Sequence, residues 1–511
     1  MDRGKNLIRG SAVKSLSFVV SIIISFFLMP FLISSLGDRT YGIWTLVGTF
    51  LGYYGLLDIG LSSAVGRFIS RAVGRNDADD VRRTISTSFY LFLGLGTFAT
   101  LVTVLLTCSI GAFMKPTENL SLFRLLLLLL GVNFAFDFPV RAFNAVFSSN
   151  LREDVSMGIT TVKTILCTLA IVYVIRRGYG IVGLAVVSVV FSVVDSLTRI
   201  FLSYKIDSRT TVSVKYFDKT KIRPLFNYSF FAFLGRIANI LRFRLDQFVI
   251  TAYVGLSAVT HYFVATRLVE YLITFISQMI GVVTPLFSQD EGRNDFEGIR
   301  RKFMFVSKLS EYVSIYFCGI TLLYGKYFIE RWMGPGYFDS TKVLWIFIIP
   351  ISLQLIQSPV IPLLDGISKL QYYVYPNLVE GIINLILSLW LGKKYGMYGV
   401  ALGTAIPMTI QLATVQPWYA CKSINLNAKK YAVAVLTNCS TGVAVLAMGW
   451  LLVSRYVKAD YPQIVSCITV QTLIYWPIVL FTGFAASERN LLFSFVRQAM
   501  LFGKRLEPAV S

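Results

Sequence analysis

Arg177-Gly178-Tyr179-Gly180-Ile181-Val182-Gly183-Leu184-Ala185 returns later in the chain as Lys393-Lys394-Tyr395-Gly396-Met397-Tyr398-Gly399-Val400-Ala401. A leading cation, a Tyr-Gly pair, a second glycine and a closing alanine recur in the same order. Two further anchors keep nearly the same spacing. Pro139-Val140 matches Pro359-Val360, and Leu36-Gly37 with Tyr41 behind it matches Val254-Gly255 with Tyr262 behind it; the offsets run from 216 to 220 residues. Because both copies lie in apolar runs, the repeat implies two similar membrane bundles, the plan of a transporter with its site between the halves.

Composition supports that reading. With 511 residues, 55% apolar and 15% charged, and a mean hydropathy of +0.66, the chain is too hydrophobic for a soluble protein. A spanning helix needs about 20 apolar residues. Segments of that kind are read at 11–36, 41–71, 82–112, 121–148, 153–175, 180–204, 224–254, 257–288, 303–324, 342–365, 370–391, 397–420, 430–453 and 463–486. The expected fold is therefore an all-α polytopic membrane protein of about 14 helices, two six-helix repeats followed by two C-terminal helices. The corresponding domains are an N-terminal bundle over 1–205, a cytoplasmic linker over 206–222, a C-terminal bundle over 223–422, and 423–511 for the last two helices and a cytoplasmic tail.

The 48 Lys+Arg against 27 Asp+Glu do not point to nucleic acid, because the cations are spread over short loops of one parity. About 29 Lys/Arg fall on the side holding the N-terminus and about 12 on the other, which predicts cytoplasmic termini. The linker, Lys205 to Arg223, reads as an ordinary connection by length. The first apolar segment exceeds a signal-peptide core and shows no clear cleavage site, so it is expected to remain. Six scattered cysteines without a CxxC pair suggest neither a disulfide framework nor a metal site.

The charges inside apolar segments carry the chemistry. In the seventh segment Arg236, Asn239, Arg242, Arg244, Asp246 and Gln247 occupy the arc opposite Leu234, Ala238, Leu241, Leu245 and Phe248. Each arginine at a helix centre costs about 2.5–3.5 kcal/mol to insert, and a leucine returns only about 0.3–0.6. Three lipid-facing arginines would outweigh most of the helix, so they are expected to line a hydrated cavity, with Asp246 compensating Arg242 at i,i+4. The next helix adds Arg267 and Glu270, spaced for a salt bridge; His261, near a helix end, reads as a loop or interface residue rather than a proton relay.

The first half embeds Asp58, Asp137, Arg141, Lys163 and Asp195 in four helices. Asp58, flanked by Gly55 and Gly60 where the chain can bend, pairs with an arginine or holds a coupling cation. Asp137 and Arg141 can neutralise one another at i,i+4. Lys163 either meets a carboxylate from another helix or joins the cationic cavity. Such a chamber suits a phosphate or diphosphate head group, whose oxygens an Arg fork engages bidentately. The expected substrate-binding set is thus Arg236, Arg242, Arg244, Arg267 and Lys163. The ion-coupling or charge-pairing set is Asp58, Asp137, Asp195, Asp246 and Glu270. No catalytic residue, metal or cofactor is expected.

The run Leu36-Gly37-Asp38-Arg39-Thr40-Tyr41-Gly42-Ile43-Trp44-Thr45-Leu46, continued by Gly55-Leu56-Leu57-Asp58-Ile59-Gly60-Leu61-Ser62-Ser63-Ala64-Val65 and Arg67, resembles the start of bacterial polysaccharide transporters. These form the Wzx-like O-antigen flippase branch of the multidrug/oligosaccharidyl-lipid/polysaccharide exporter superfamily. Arg9-Gly10-Ser11-Ala12 before the first span adds to the likeness, which is strongest over the first 70 residues. The resemblance implies a MATE/MOP-like fold and alternating-access flipping of an undecaprenyl-diphosphate-linked oligosaccharide in the bacterial inner membrane. The product would serve O-antigen, capsule or exopolysaccharide assembly. Membrane lipids, a polysaccharide polymerase and a chain-length regulator are the implied partners, and nucleic acid is not one. Energy would come from an ion gradient, the membrane potential or consumption of substrate outside, since the chain has no GxxxxGK[ST] loop.

Three other readings compete. A drug/cation antiporter of the same superfamily would favour an acidic or aromatic cavity, against the arginines of the second half. A peptidoglycan lipid-precursor flippase shares the fold, carrier and cationic cavity. A membrane polymerase or ligase would need a substantial outer loop bearing acid, base or nucleophile groups, whereas the longest here is Tyr324 to Thr341.

Overall fold

The computed structural model describes residues 2–490 and 492–493 apart from 59, 76, 110, 112–118, 151, 227–232, 234–236, 238–244, 281–286, 288–289, 368 and 370. Among these residues the regular structure is entirely helical. The principal helices are α1 (Asp2–Leu36), α2 (Asp38–Leu57), α3 (Leu61–Gly74), α4 (Ala78–Ser109), α5 (Leu120–Ser149), α6 (Glu153–Arg176), α7 (Gly180–Ile206) and α8 (Asp246–Tyr253). They continue as α9 (Leu256–Ile280), α10 (Phe296–Met333), α11 (Phe338–Ile356), α12 (Val360–Gly366), α13 (Gln371–Ile410), α14 (Gln416–Ser423), α15 (Ala428–Val453) and α16 (Tyr461–Gly483).

Among the described residues, ten stretches are long and apolar enough to cross a membrane, so the chain is a multi-pass membrane protein. Three of the four segments by which that figure falls short of fourteen have a traceable reason. The segment expected over 41–71 is two helices: α2 ends at Leu57, Gly60 turns with φ 72°, and α3 starts at Leu61. A left-handed turn of this kind costs any residue with a Cβ, and glycine adopts it freely. The stretch Gln371–Ser423 is one run of 53 residues, but Gly396 has φ 60° and ψ −139° inside it, which kinks it between two helices. Most of the expected seventh segment lies outside the described residues.

The repeat read from the sequence has a backbone counterpart. Gly180 and Gly396, equivalent in the two copies, have φ of 58° and 60°, and Gly37 and Gly255, the second equivalent pair, also have positive φ. Helix ends follow the local chemistry. Asn119 accepts from the Leu122 amide, Asp295 from Gly298 and Asn427 from Lys429 and Lys430, each satisfying amides that the first turn leaves open.

The chain forms two compact units, one of residues 1–263 with 381–403, the other of 264–380 with 404–511. In the first, α4 packs on α5, α1 on α6, and α7 on both α5 and α6; Leu61, Val65, Ile85, Phe92, Phe138 and Val146 form part of its core. In the second, α10 packs against α11, α15 and α16, with Tyr312, Tyr316, Leu446, Tyr475 and Val479 buried among them. The six-helix halves inferred from the repeat are a division by sequence, and they stand as a proposal beside these packing units.

Residues 207–221 are held in place, where the sequence suggested an ordinary linker. Asp207, 5% exposed, takes a two-pronged bond from Arg209 (2.8 and 2.9 Å) and accepts from Asn150 Nδ2. Ser86 Oγ donates to the Thr211 carbonyl, the Asp218 amide donates to Thr87 Oγ1, and Lys221 pairs with Asp80. Through these contacts the connection is strapped to the start of α4 and the ends of α5 and α7.

Candidate functional site

Six charged residues in apolar segments of the first unit, Asp58, Asp137, Arg141, Lys163, Asp195 and Arg199, form one connected band. Its organisation starts with α7, where Val186, Val190, Val193, Leu197 and Phe201 are exposed and, at 100° per residue, share one stripe. Asp195 and Arg199 fall on the opposite face, turned into the unit.

Arg199 is the band's most heavily bonded cation. Its Nε lies 3.0 Å from Asp195 Oδ2, and its two terminal nitrogens donate to Asn144 Oδ1 (3.3 Å), Ser156 Oγ (3.0 Å) and Thr160 Oγ1 (2.8 Å). One side chain thereby ties α7 to α5 and α6. The sequence reading passed over it, although the i,i+4 spacing from Asp195 on the face away from lipid was a usable signal. Lys163, on α6, has Nζ 3.7 Å from the same Asp195 oxygen, so the carboxylate from another helix that it needed is Asp195.

The other end of the band is built on the break between α2 and α3. Asp58 is 1% exposed. Its Oδ1 accepts from the Ser62 amide (3.1 Å) and hydroxyl (2.8 Å), so it caps α3 and lends a negative charge to that helix start. Its Oδ2 lies 3.9 Å from Arg141 Nη1, while Arg141 Nε lies 4.0 Å from Asp137 Oδ2. The Arg141 guanidinium sits over the Phe138 ring at 4.2 Å. Asp137 also accepts from Ser196 Oγ of α7 at 3.4 Å, which joins the two ends.

These contacts pair three carboxylates (Asp58, Asp137, Asp195) with three cations (Arg141, Lys163, Arg199). At about 4 Å and an effective dielectric near 20, one such pair is worth roughly 4 kcal/mol, comparable with the roughly 2.5–3.5 kcal/mol cost of inserting a single charge. Pairing thus accounts for how these residues persist within the bilayer. The contacts to Asp195 differ in grip: Arg199 is fixed by short bonds, while Lys163 stands 3.7 Å from the carboxylate. Asp137 and Lys163 are the most open members, with side chains 36% and 33% exposed.

The remaining sequence-derived residues fall elsewhere. Arg236, Arg242 and Arg244 lie outside the described residues. Asp246, 3% exposed, accepts from the Tyr262 hydroxyl, and the neighbouring Gln247 accepts from Thr49. His261 lies 3.4 Å from Asp38, as befits a helix-end contact. In the second unit Arg267 pairs with Glu270 at 2.9 Å, as the spacing predicted, and lies over the Tyr271 ring. Glu311 and Glu380, buried at 1% and 3% exposure, are carboxylates the sequence reading did not single out. Among the described residues no cluster of His, Cys, Asp and Glu has the makings of a metal site.

Residues 36–342, more than half of the chain, match the family described as Polysaccharide biosynthesis protein. The chain is 20% identical over 495 residues to the "Uncharacterized membrane protein EpsK" of Bacillus subtilis, covering 94% of this chain and 93% of that protein. It is 21% identical over 423 residues to the "Putative O-antigen transporter" of Shigella flexneri, covering 81% and 98%. Its fold is shared with the lipid II flippase MurJ in an inward closed conformation, with TM-score 0.70, 15% identity, and 91% and 98% of the two chains covered.

Proposed function

The chain belongs to the polysaccharide biosynthesis protein family, and from that premise we propose that it flips an undecaprenyl-diphosphate-linked oligosaccharide across the bacterial cytoplasmic membrane. The repeat unit would feed O-antigen, capsule or exopolysaccharide assembly, by alternating access and without chemical change to the substrate. The excess of Lys/Arg in loops of one parity supports an orientation with both termini cytoplasmic.

The observation that carries this reading is the difference in grip within the charged band. A diphosphate entering the unit competes with carboxylates for cations, and it wins first where the existing pair is long. Lys163, 3.7 Å from Asp195, can exchange its carboxylate for a phosphate oxygen, and Arg141 stands in the same band as a further cation. Arg199, engaged by Asp195 and three neutral acceptors, keeps the helices together meanwhile. Arg236, Arg242, Arg244 and Arg267 complete the proposed cationic lining; Asp58, Asp137, Asp195, Asp246 and Glu270 are the proposed counter-charges, which take the cations back once substrate has left. The sugars and diphosphate would travel through the polar interior while the polyprenyl tail stays in lipid.

The test is deletion in the native host, with extraction of polyprenyl-linked glycans and assay of surface polysaccharide. Loss of surface polymer with a single repeat unit accumulating at the cytoplasmic leaflet supports flipping. Normal polymer with altered drug sensitivity would move the protein to antiport, and repeat units stranded on the outer leaflet would indicate a polymerase or ligase.

A further inference from the structure

The mechanism above leaves Glu311 unused. It lies on α10, about 22 Å along the helix from Phe296 at 1.5 Å per residue, within the apolar segment 303–324. The residue is 1% exposed. Its hydrogen bond comes from Asn438 Nδ2 of α15 at 2.7 Å, and Asn438 Oδ1 in turn accepts from the Tyr312 hydroxyl at 3.3 Å.

Among the described residues the surroundings contain no spare positive charge. The nearest cation, Lys308, stands one turn earlier on α10 and is held by both oxygens of Glu488, at 2.9 and 3.1 Å. The other titratable groups facing Glu311 are neutral or weakly acidic: Tyr312 on α10, and Tyr431 and Cys439 on α15. On α16, Tyr475 donates its hydroxyl to the Tyr312 carbonyl beside it. Ser310 and Ser314, flanking Glu311 on α10, bury hydroxyl oxygens that have no hydrogen-bond partner.

An ionised carboxylate sealed from water needs a counter-ion or several donors; otherwise the group takes up a proton. Among the described residues one amide donor is present here, and the nearby Lys308 is already matched by Glu488. Each carboxylate of the band in the first unit lies within 4.0 Å of a cation. Among the described residues Glu311 has no such partner.

We propose that Glu311 is a proton-binding site: a neutral carboxylic acid while α10 and α15 are packed around it, releasing its proton when that packing opens to water. A sodium ion is a poorer occupant, because dehydrating it calls for several oxygen ligands with more charge than one carboxylate among neutral hydroxyls supplies. If the protein is the flippase proposed above, on which this clause rests, proton binding at Glu311 is linked to whichever conformational step exposes the α10–α15 contact.

The test is infrared difference spectroscopy of the full chain in liposomes, titrated with pH at fixed sodium. A protonated-carboxyl C=O band present at neutral pH and absent in Glu311→Gln is the expected result. Asn438→Leu removes the donor and should shift that band without abolishing it, which keeps the test decisive where Glu311→Gln yields no folded protein. Overturning results are a wild-type spectrum with no band lost in Glu311→Gln or shifted in Asn438→Leu, or a band that sodium removes at constant pH. None of these readings depends on transport, so they are separable from failure of the deletion experiment.

Discussion

Arg199 Nε stands 3.0 Å from Asp195 Oδ2, on the face of α7 turned away from lipid, and the same guanidinium reaches α5 and α6. It is a structural cross-link made of charge. Arg199→Ala leaves Asp195 with Lys163 at 3.7 Å and frees three part-buried acceptors, Asn144, Ser156 and Thr160. Breaking a buried pair of this kind costs about 3–5 kcal/mol. The expected outcome is a clear fall in melting temperature in detergent. Asp195→Asn combined with Arg199→Gln, which removes both charges, should recover part of it; equal losses in single and double variants would contradict the pairing.

Arg141 and Lys163 should behave in the opposite way. Arg141→Gln and Lys163→Gln are expected to reduce surface polymer about tenfold, equivalent to about 1.4 kcal/mol, while lowering the melting temperature less than Arg199→Ala does. Polymer at the wild-type level in both variants removes them from the substrate path.

For the arginines of the expected seventh segment the prediction rests on sequence. Arg236→Ala and Arg242→Ala should depress surface polymer without loss of membrane insertion, read by quantitative blot of the membrane fraction. Full polymer in both would end their assignment to the cavity.

Gly180 and Gly396 test the backbone of the repeat. A Cβ at Gly180 meets nothing within 4 Å, so Gly180→Ala isolates the cost of φ 58°, about 1–2 kcal/mol. Gly396→Ala adds a ψ of −139°, in a region open essentially to glycine alone, and is expected to cost more, up to about 3 kcal/mol. Thermal melts of the two variants give the order directly.

The strap over 207–221 carries its own pH dependence. Burial alone would raise the Asp207 carboxyl, but the bonds from Arg209 and Asn150 outweigh it and hold the group below its ordinary value. Asp218 is also held low, by the Thr220 hydroxyl and amide and by nearby Arg83 and Lys221. A depressed carboxylate contributes stability that is complete above its unfolded value, near 4, and is lost as pH falls through the lower folded value. Amide exchange across 207–221 should therefore be slow from neutral pH down to about 4, and protection should fall away below that, beyond what intrinsic exchange explains. Asp207→Asn should show weakened protection at neutral pH as well.

The sequence reading reached the helical class, the membrane setting and the family because those rest on signals spread over many residues. Apolar runs of spanning length and the Tyr-Gly-x-x-Gly repeat are additive, and one misread position does not alter them. It also predicted the Arg267–Glu270 pair, because neighbours at i,i+3 on a helix are placed by helix geometry alone.

Which embedded charges meet across helices, and how closely, was legible only in the packed fold. Asp58 reaches Arg141 over 83 positions, Lys163 reaches Asp195 over 32, and Asn438 reaches Glu311 over 127. No local period encodes such pairings, since they depend on helix rotation and axial offset, set by packing of the whole unit. That charges would be buried in an apolar chain was legible from the residues alone; the fold decides that Asp58, Asp137 and Asp195 each lie within 4.0 Å of a cation, whereas among the described residues Glu311 in the second unit has no cation at that distance. The physical reason is that the cost of burying a charge is a property of the residue, and relief of that cost is a property of distance.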